Sequence, residues 1–272
     1  MKLGSSDISG VKIGSTDVSS VYIGTNLVWS GMDADYKAVL DYATTQGYTL
    51  PSASQQLLQE QLIIDLKDAG IWSNLDVFYV FATDGDSNFA SINWKDPNSF
   101  EITEVNSPTF TTDVGFTGNG SSAYLDPSYN QGTDGVNWSN PNGSFGVWVD
   151  TAATVNAHSY VGYTSGNSTL RRGSSKTINQ TSCATPSSVS GDVNNTFMHI
   201  NINSSNAELY YNGVSQATGT GSFNDAANMT FLSEAGTTAY SNATISIGFF
   251  GGDLSSEQSD FYTSVNSYMT SI

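Results

Sequence analysis

Residues 2–29 write one ten-residue unit three times, and a unit that short has room for a strand, a tight turn and a second strand. Lys2-Leu3-Gly4 recurs as Lys12-Ile13-Gly14 and as Tyr22-Ile23-Gly24. Asp7-Ile8 recurs as Asp17-Val18 and Leu27-Val28, and Val11 as Val21. Each unit sets an apolar alternation ahead of a Gly-Ser-Thr-Asp or Gly-Thr-Asn turn. There Gly supplies the positive φ, and Asp or Asn bonds the local backbone. Stretches below roughly 40 residues rarely bury enough surface to stand alone. The repeat therefore predicts a docking module for a partner or a second copy, with Val11, Ile13, Val21, Ile23, Val28 and Trp29 as its buried face. A cap packed on its own chain is the plainer alternative.

After Trp29-Ser30-Gly31 the apolar period changes from two to 3.6. Asp33 or Asp35 caps an expected helix with Tyr36, Val39, Leu40 and Ala43 on one face and Gly47 at its end. Ser52 and Gln55 then form a capping-box start for a second helix carrying Leu58, Leu62, Leu66 and Ala69 up to Gly70. Residues 31–70 are expected to be a helical connector, and residues 71–272 a strand-rich domain. Val77–Phe81 is a continuous apolar run, suited to a strand buried on both faces. Phe145–Val149 and Met198–Ile202 alternate. Asn212-Gly213 between Leu209-Tyr210-Tyr211 and Val214-Ser215-Gln216 is a strong type I′ hairpin signal. Met229–Leu232 and Ile245–Phe250 add strands. A last helix, capped by Ser255 or Ser256, carries Phe261, Val265 and Tyr268. The expected class is mainly β: a short β-repeat, two helices, then a two-sheet sandwich closed by a C-terminal helix.

Charge narrows the partners. Asp and Glu number 25 against 8 Lys and Arg, a formal net charge of −17. Such a surface repels phosphate backbones and anionic membranes, which sets nucleic-acid binding aside. Cys183 is the one cysteine, so no internal disulfide and no thiolate cluster is expected. Met1–Ser5 lacks the apolar run of a signal peptide, and no apolar stretch approaches a membrane span, so synthesis in a cytoplasm is the expectation.

Four chemistries bear on the residues of this chain. Paired carboxylates on one strand are absent, because none of Glu60, Glu101, Glu104, Glu208, Glu234 and Glu257 fits a Glu-x-Asp-x-x-Glu spacing. His158 and His199 have no Gly-x-Ser-x-Gly elbow beside them. Asp84, Asp86 and Asn88 place oxygens at alternate positions, as calcium loops do. Phe89, however, stands where such a loop needs Gly, and Lys95 where it needs the closing Glu. Sugar binding needs an aromatic platform beside amides on loops. Tyr129, Asn130, Trp138, Asn140 and Tyr163 supply those parts, with Arg171 and Arg172 placed to meet an anionic glycan or neutralise nearby carboxylates.

Asn93-Trp94-Lys95-Asp96-Pro97 and Phe116–Asp126 resemble a block of tailed-phage structural proteins. The Val-Tyr-Ile-Gly repeat ending in Leu-Val-Trp, Gly70-Ile71-Trp72 and the 251–258 segment Gly-Gly-Asp-Leu-Ser-Ser-Glu-Gln fit the same family. Tyr210-Tyr211-Asn212-Gly213-Val214 is similar to a hairpin of laminin-G-like, concanavalin-type jelly rolls. The resemblance implies a virion protein of the tail-fibre or receptor-binding kind, homotrimeric, in contact with other virion proteins and with a host-surface glycan. Calcium at a rim is the one cofactor it allows. The expectation is assembly and adhesion without a chemical step, ahead of a ligand-free decoration protein and, third, a polysaccharide-degrading enzyme.

Overall fold

The computed structural model describes the chain outside residues 1, 4–5, 8–10, 14–15, 19, 24–25, 155–157, 164–168, 173–176, 181–186, 191–192, 205, 221–227 and 255. In the strands between 2 and 30, at 169 and between 171 and 190 it describes backbone alone. Each decamer folds as one antiparallel hairpin: β1 (Lys2–Leu3) with β2 (Ser6–Asp7), β3 (Val11–Ile13) with β4 (Thr16–Val18), and β5 (Ser20–Ile23) with β6 (Asn26–Ser30). Val11 pairs with Val18, and Val21 with Trp29. Among the described residues each hairpin is a two-stranded sheet of its own.

Helices α1 (Ala34–Gln46) and α2 (Ala53–Asp68) follow. The Asp33 carboxylate caps α1 by accepting from the N–H groups of Asp35 and Tyr36, and Gly47 ends it at φ 78°. Ser52 Oγ accepts from Gln55 N at 3.3 Å, so half of the capping box forms. The Gln55 amide instead donates to Asp113, and its carbonyl accepts from Thr83 Oγ1.

The body then runs β7 (Leu75–Val80), a short α3 (Ser87–Ala90), β8 (Thr103–Val105), β9 (Thr109–Thr111), β10 (Gly115–Thr117), β11 (Tyr124–Asp126) and a short α4 (Gln131–Asp134). It continues with β12 (Gly143–Thr151), β13 (His158–Gly162), β14 (Thr169–Arg172), β15 (Thr177–Gln180), β16 (Ser187–Ser190) and β17 (Thr196–Asn203). Strands β18 (Asn206–Tyr211), β19 (Val214–Thr220), β20 (Thr230–Phe231) and β21 (Thr244–Gly251) precede α5 (Gln258–Met269). Two antiparallel sheets result. One is ordered β19-β18-β17-β12-β21-β10-β9, with β7 also paired to β21; the other is β16-β15-β14-β13-β20-β11-β8. The protein is mainly β, a two-sheet sandwich of the jelly-roll kind with a C-terminal helix. The block between 70 and 125 belongs to it, since β10 pairs with β21 and β11 with β20.

Two cores share the larger sheet. Between the sheets lie Val77, Tyr79, Phe81, Phe116, Phe145, Val147, Met198, Ile200, Phe231 and Phe250. On its outer face Phe78, Val80, Trp148, Phe197, Ile247 and Phe249 pack under Tyr36, Val39, Leu62, Leu66, Phe261 and Val265 of the three long helices. Burying each such side chain contributes about 1.5–3 kcal/mol. The helical segment is thus a layer of the body rather than a spacer. Gln59 ties it together: its carbonyl accepts from Tyr36 Oη at 2.7 Å, and its amide reaches Thr83 Oγ1 at 3.1 Å and Tyr268 Oη at 3.2 Å. The N-cap of α5 is Glu257, which makes no side-chain capping bond, rather than Ser255 or Ser256. Asn212 and Gly213 both take positive φ, 49° and 73°, as a type I′ turn requires.

Candidate functional site

The expected sugar platform goes into the core. Tyr129 is fully buried, stacked on Phe250 at 5.4 Å with its edge contact to Phe100 at 5.3 Å. Its hydroxyl donates to Asp76 Oδ2 at 2.9 Å. Asp76 also gathers the N–H groups of Val136, Asn137 and Trp138 at 3.2, 2.7 and 3.0 Å, which fastens this loop to β7. Trp138 stacks on Phe145 at 6.5 Å, and Tyr163 is buried in the same inter-sheet core. Reading Tyr129, Trp138 and Tyr163 as an exposed platform is therefore corrected: a ring closing a sandwich end hides its faces from ligand. The Asn130 side chain caps α4, accepting from Gly132 N at 3.0 Å. Asn140 precedes a cis-proline, Pro141. Arg171 and Arg172 lie on β14, opposite Asn179 and Ile178; their side chains fall outside the described residues. So do the side chains of Val11, Ile13, Val21, Ile23, Val28 and Trp29, and all of Cys183.

The calcium reading of Asp84, Asp86 and Asn88 is corrected too. Asp84 Oδ1 accepts from Ser52 N at 2.9 Å. Asp86 accepts from Phe89 N at 2.9 Å and from Thr49 N at 2.8 Å. These carboxylates satisfy backbone N–H groups at two helix starts, with Asn88 inside α3. Among the described residues no three of His, Cys, Asp and Glu gather as metal ligands do.

A different surface offers chemistry. On the hairpin β18–β19, alternation sends Ala207 and Leu209 into the core and leaves Asn206, Glu208 and Tyr210 on the outer face. Asn206 pairs with Thr220 and Glu208 with Thr218. With Ala207 and Gly219 these four line an open groove of about 470 Å³. Tyr210 Oη donates to Glu208 Oε2 at 2.6 Å, which orients the carboxylate. Burial and that bond push the Tyr210 hydroxyl pKa far up, so it stays a donor.

Behind the groove the Tyr210 ring stacks on His199 at 4.9 Å and 8°. His199 is fully buried, with no hydrogen bond to either nitrogen. Burial alone pulls its pKa down to about 3, so it is a neutral aromatic plate. It fits because its strand partner is Gly146, where a Cβ would stand 2.5 Å from that of His199. Alongside, Asn201 and Asn203 both donate to Asp253, and Leu254 N donates to Asn201 Oδ1 at 2.8 Å. Sequence reasoning singled out neither Asn206, Glu208, Thr218 nor Thr220. Their signal was polar parity on both arms of the Asn-Gly hairpin.

No family model matches the chain, and no curated protein matches it. Solved structures do. A mutant of Trypanosoma rangeli sialidase with trans-sialidase activity overlaps at TM-score 0.52 and 10% identity, over 79% of this chain and 40% of that one. Trypanosoma rangeli sialidase in complex with sialic acid overlaps at 0.51 and 11%, over 78% and 40%. The binding domain of botulinum neurotoxin DC in complex with SialylT stands at 0.47 and 13%, over 73% and 52%. The chain thus spans about 40% of the length of the sialidase chains it matches. The expectation that set an enzyme aside is overturned by this likeness, because chains solved as sialidases share the fold. At such identity the fold is what is shared, and no catalytic residue carries across.

Proposed function

We propose that this chain is a tailed-phage virion protein of the tail-fibre or tail-tip kind, docked on the particle by its N-terminal hairpins and displaying a carbohydrate-binding sandwich to the host surface. The observation that carries the reading is the contrast in pairing. Among the described residues the two sheets of the sandwich take in no strand from residues 2–30, whereas each hairpin there pairs within itself. Isolated two-stranded hairpins are marginal in water, so a neighbouring subunit or a second copy of the chain is what completes them. A homotrimer formed through this segment satisfies that need with closed symmetry. The sialic acid complex of the sialidase neighbour adds support for a sugar ligand on this fold.

Two measurements test the reading. The chain lacking residues 1–30 is expected to keep its melting temperature but to leave the particle and lose the trimer in sedimentation; continued assembly or trimerisation overturns docking. The full chain is expected to bind oligosaccharides on a glycan panel. A ligand-free decoration subunit is the second reading, favoured by the burial of Tyr129, Trp138 and Tyr163. Silence across the panel selects it.

A further inference from the structure

We infer that the groove between β18 and β19 is the sugar site, and that it takes a neutral oligosaccharide with vicinal hydroxyls rather than a sialylated or uronic one. The assignment rests on the carbohydrate-binding half of the reading above. Sugar recognition needs a fixed acceptor for paired hydroxyls, amide and hydroxyl groups around it, and a surface open enough to admit a chain. The groove has each. Glu208 is the fixed acceptor: Tyr210 holds Oε2 at 2.6 Å, and no described residue donates to Oε1. Asn206 and Thr220 stand two pairs along the ladder, on the same face, and Thr218 lies directly across from Glu208. The side chains of Asn206, Thr218 and Thr220 are exposed, and the volume of about 470 Å³ suits one or two sugar rings.

Charge decides the class of sugar. Among the described residues the groove is lined by one carboxylate and no cation, and Asp253 lies on the same side of β17. A carboxylate-bearing sugar would bring like charge to this spot in a chain of net charge −17. A neutral sugar meets no such repulsion, and its hydroxyls donate to Glu208 in a charge-assisted bond.

The test uses the full chain and a panel of gluco-, galacto- and manno-oligosaccharides with sialyllactose beside them. The parent should bind a neutral member and pass over sialyllactose. Glu208→Gln should weaken that binding by about tenfold or more, the scale of a charge-assisted hydrogen bond. Thr220→Trp, which fills the groove from an exposed position, should abolish it at an unchanged melting temperature, so the test stands even if the first variant folds poorly. If the parent binds a neutral sugar and both variants bind as well as the parent, the groove is wrong and the adhesin reading survives. Binding of sialyllactose in preference to the neutral sugars overturns the ligand class. Failure to bind any member overturns this inference and the sugar-binding reading together.

Discussion

The outer face of the larger sheet is two surfaces in one. Over β7, β21, β12 and β17 it is apolar, and α1, α2 and α5 lie on Phe78, Trp148, Phe197, Ile247 and Phe249. Over β18 and β19 it carries Asn206, Glu208, Thr218 and Thr220, and among the described residues these line the open groove with no helix residue beside them. His199 and Tyr210 stand at the border. The first packs at a tilt against Phe197 and Phe261, and the second passes a hydrogen bond outward to Glu208. The covered half is built for stability. The other half contributes little to the core and turns polar groups outward.

Substitutions should separate the halves. Phe261→Ala removes a ring that meets Phe78, Phe197 and Phe249 at 6.4, 4.9 and 4.8 Å. A loss of about 3–5 kcal/mol in urea unfolding is expected; a loss below 1 would show that the helix adds little to the sheet. Next in size is a pH effect. His199 titrates near 3 in the folded chain and near 6.5 when unfolded. Its folded value is depressed, so below 6.5 the unfolded chain takes up a proton that the native chain refuses. Stability from this group is constant above 6.5 and falls at about 1.4 kcal/mol per pH unit below it, about 2 kcal/mol by pH 5. His199→Leu should flatten that slope; equal slopes would place an ionised imidazole in the fold.

Smaller effects follow. Tyr268 Oη donates to Ala82 O at 2.6 Å and accepts from Gln59 Nε2 at 3.2 Å. Tyr268→Phe should cost about 1 kcal/mol by the same unfolding measurement. Thr218→Ala, on the polar half, should shift stability by under about 0.5 kcal/mol while weakening sugar binding. A larger loss of stability there would mean the groove residues belong to the packed structure.

The architecture was legible wherever a local period or turn rule applied. The hairpin repeat, both N-terminal helices, the doubly buried Val77–Phe81 run and the Asn212-Gly213 turn follow from spacing alone. Sequence alternation in β12 and β17 suggested strands with one wet face. Instead Phe197 and His199 are roofed by Phe261 of α5 and Trp148 lies in the same helix-covered core, a long-range fact with no local trace. Several candidate residues lie in other surroundings than expected for a related reason. Tyr129 and Trp138 look like loop aromatics, but Asp76, some fifty residues upstream, draws their loop onto the sandwich. Asp84 and Asp86 look like metal ligands, yet the backbone that occupies them arrives from Thr49 and Ser52. Glu208 was passed over because a lone carboxylate in a strand carries no spacing signature. It becomes a site through its neighbour across the ladder.

The most direct test of the division of the outer face is an amide chemical-shift titration of the full chain with the neutral oligosaccharide it binds best. The account predicts shifts confined to residues 206–211 and 215–220, with His199 at the margin and the helical layer unchanged. Shifts centred on residues 128–140, or on α1 and α2 with the hairpin silent, would contradict it.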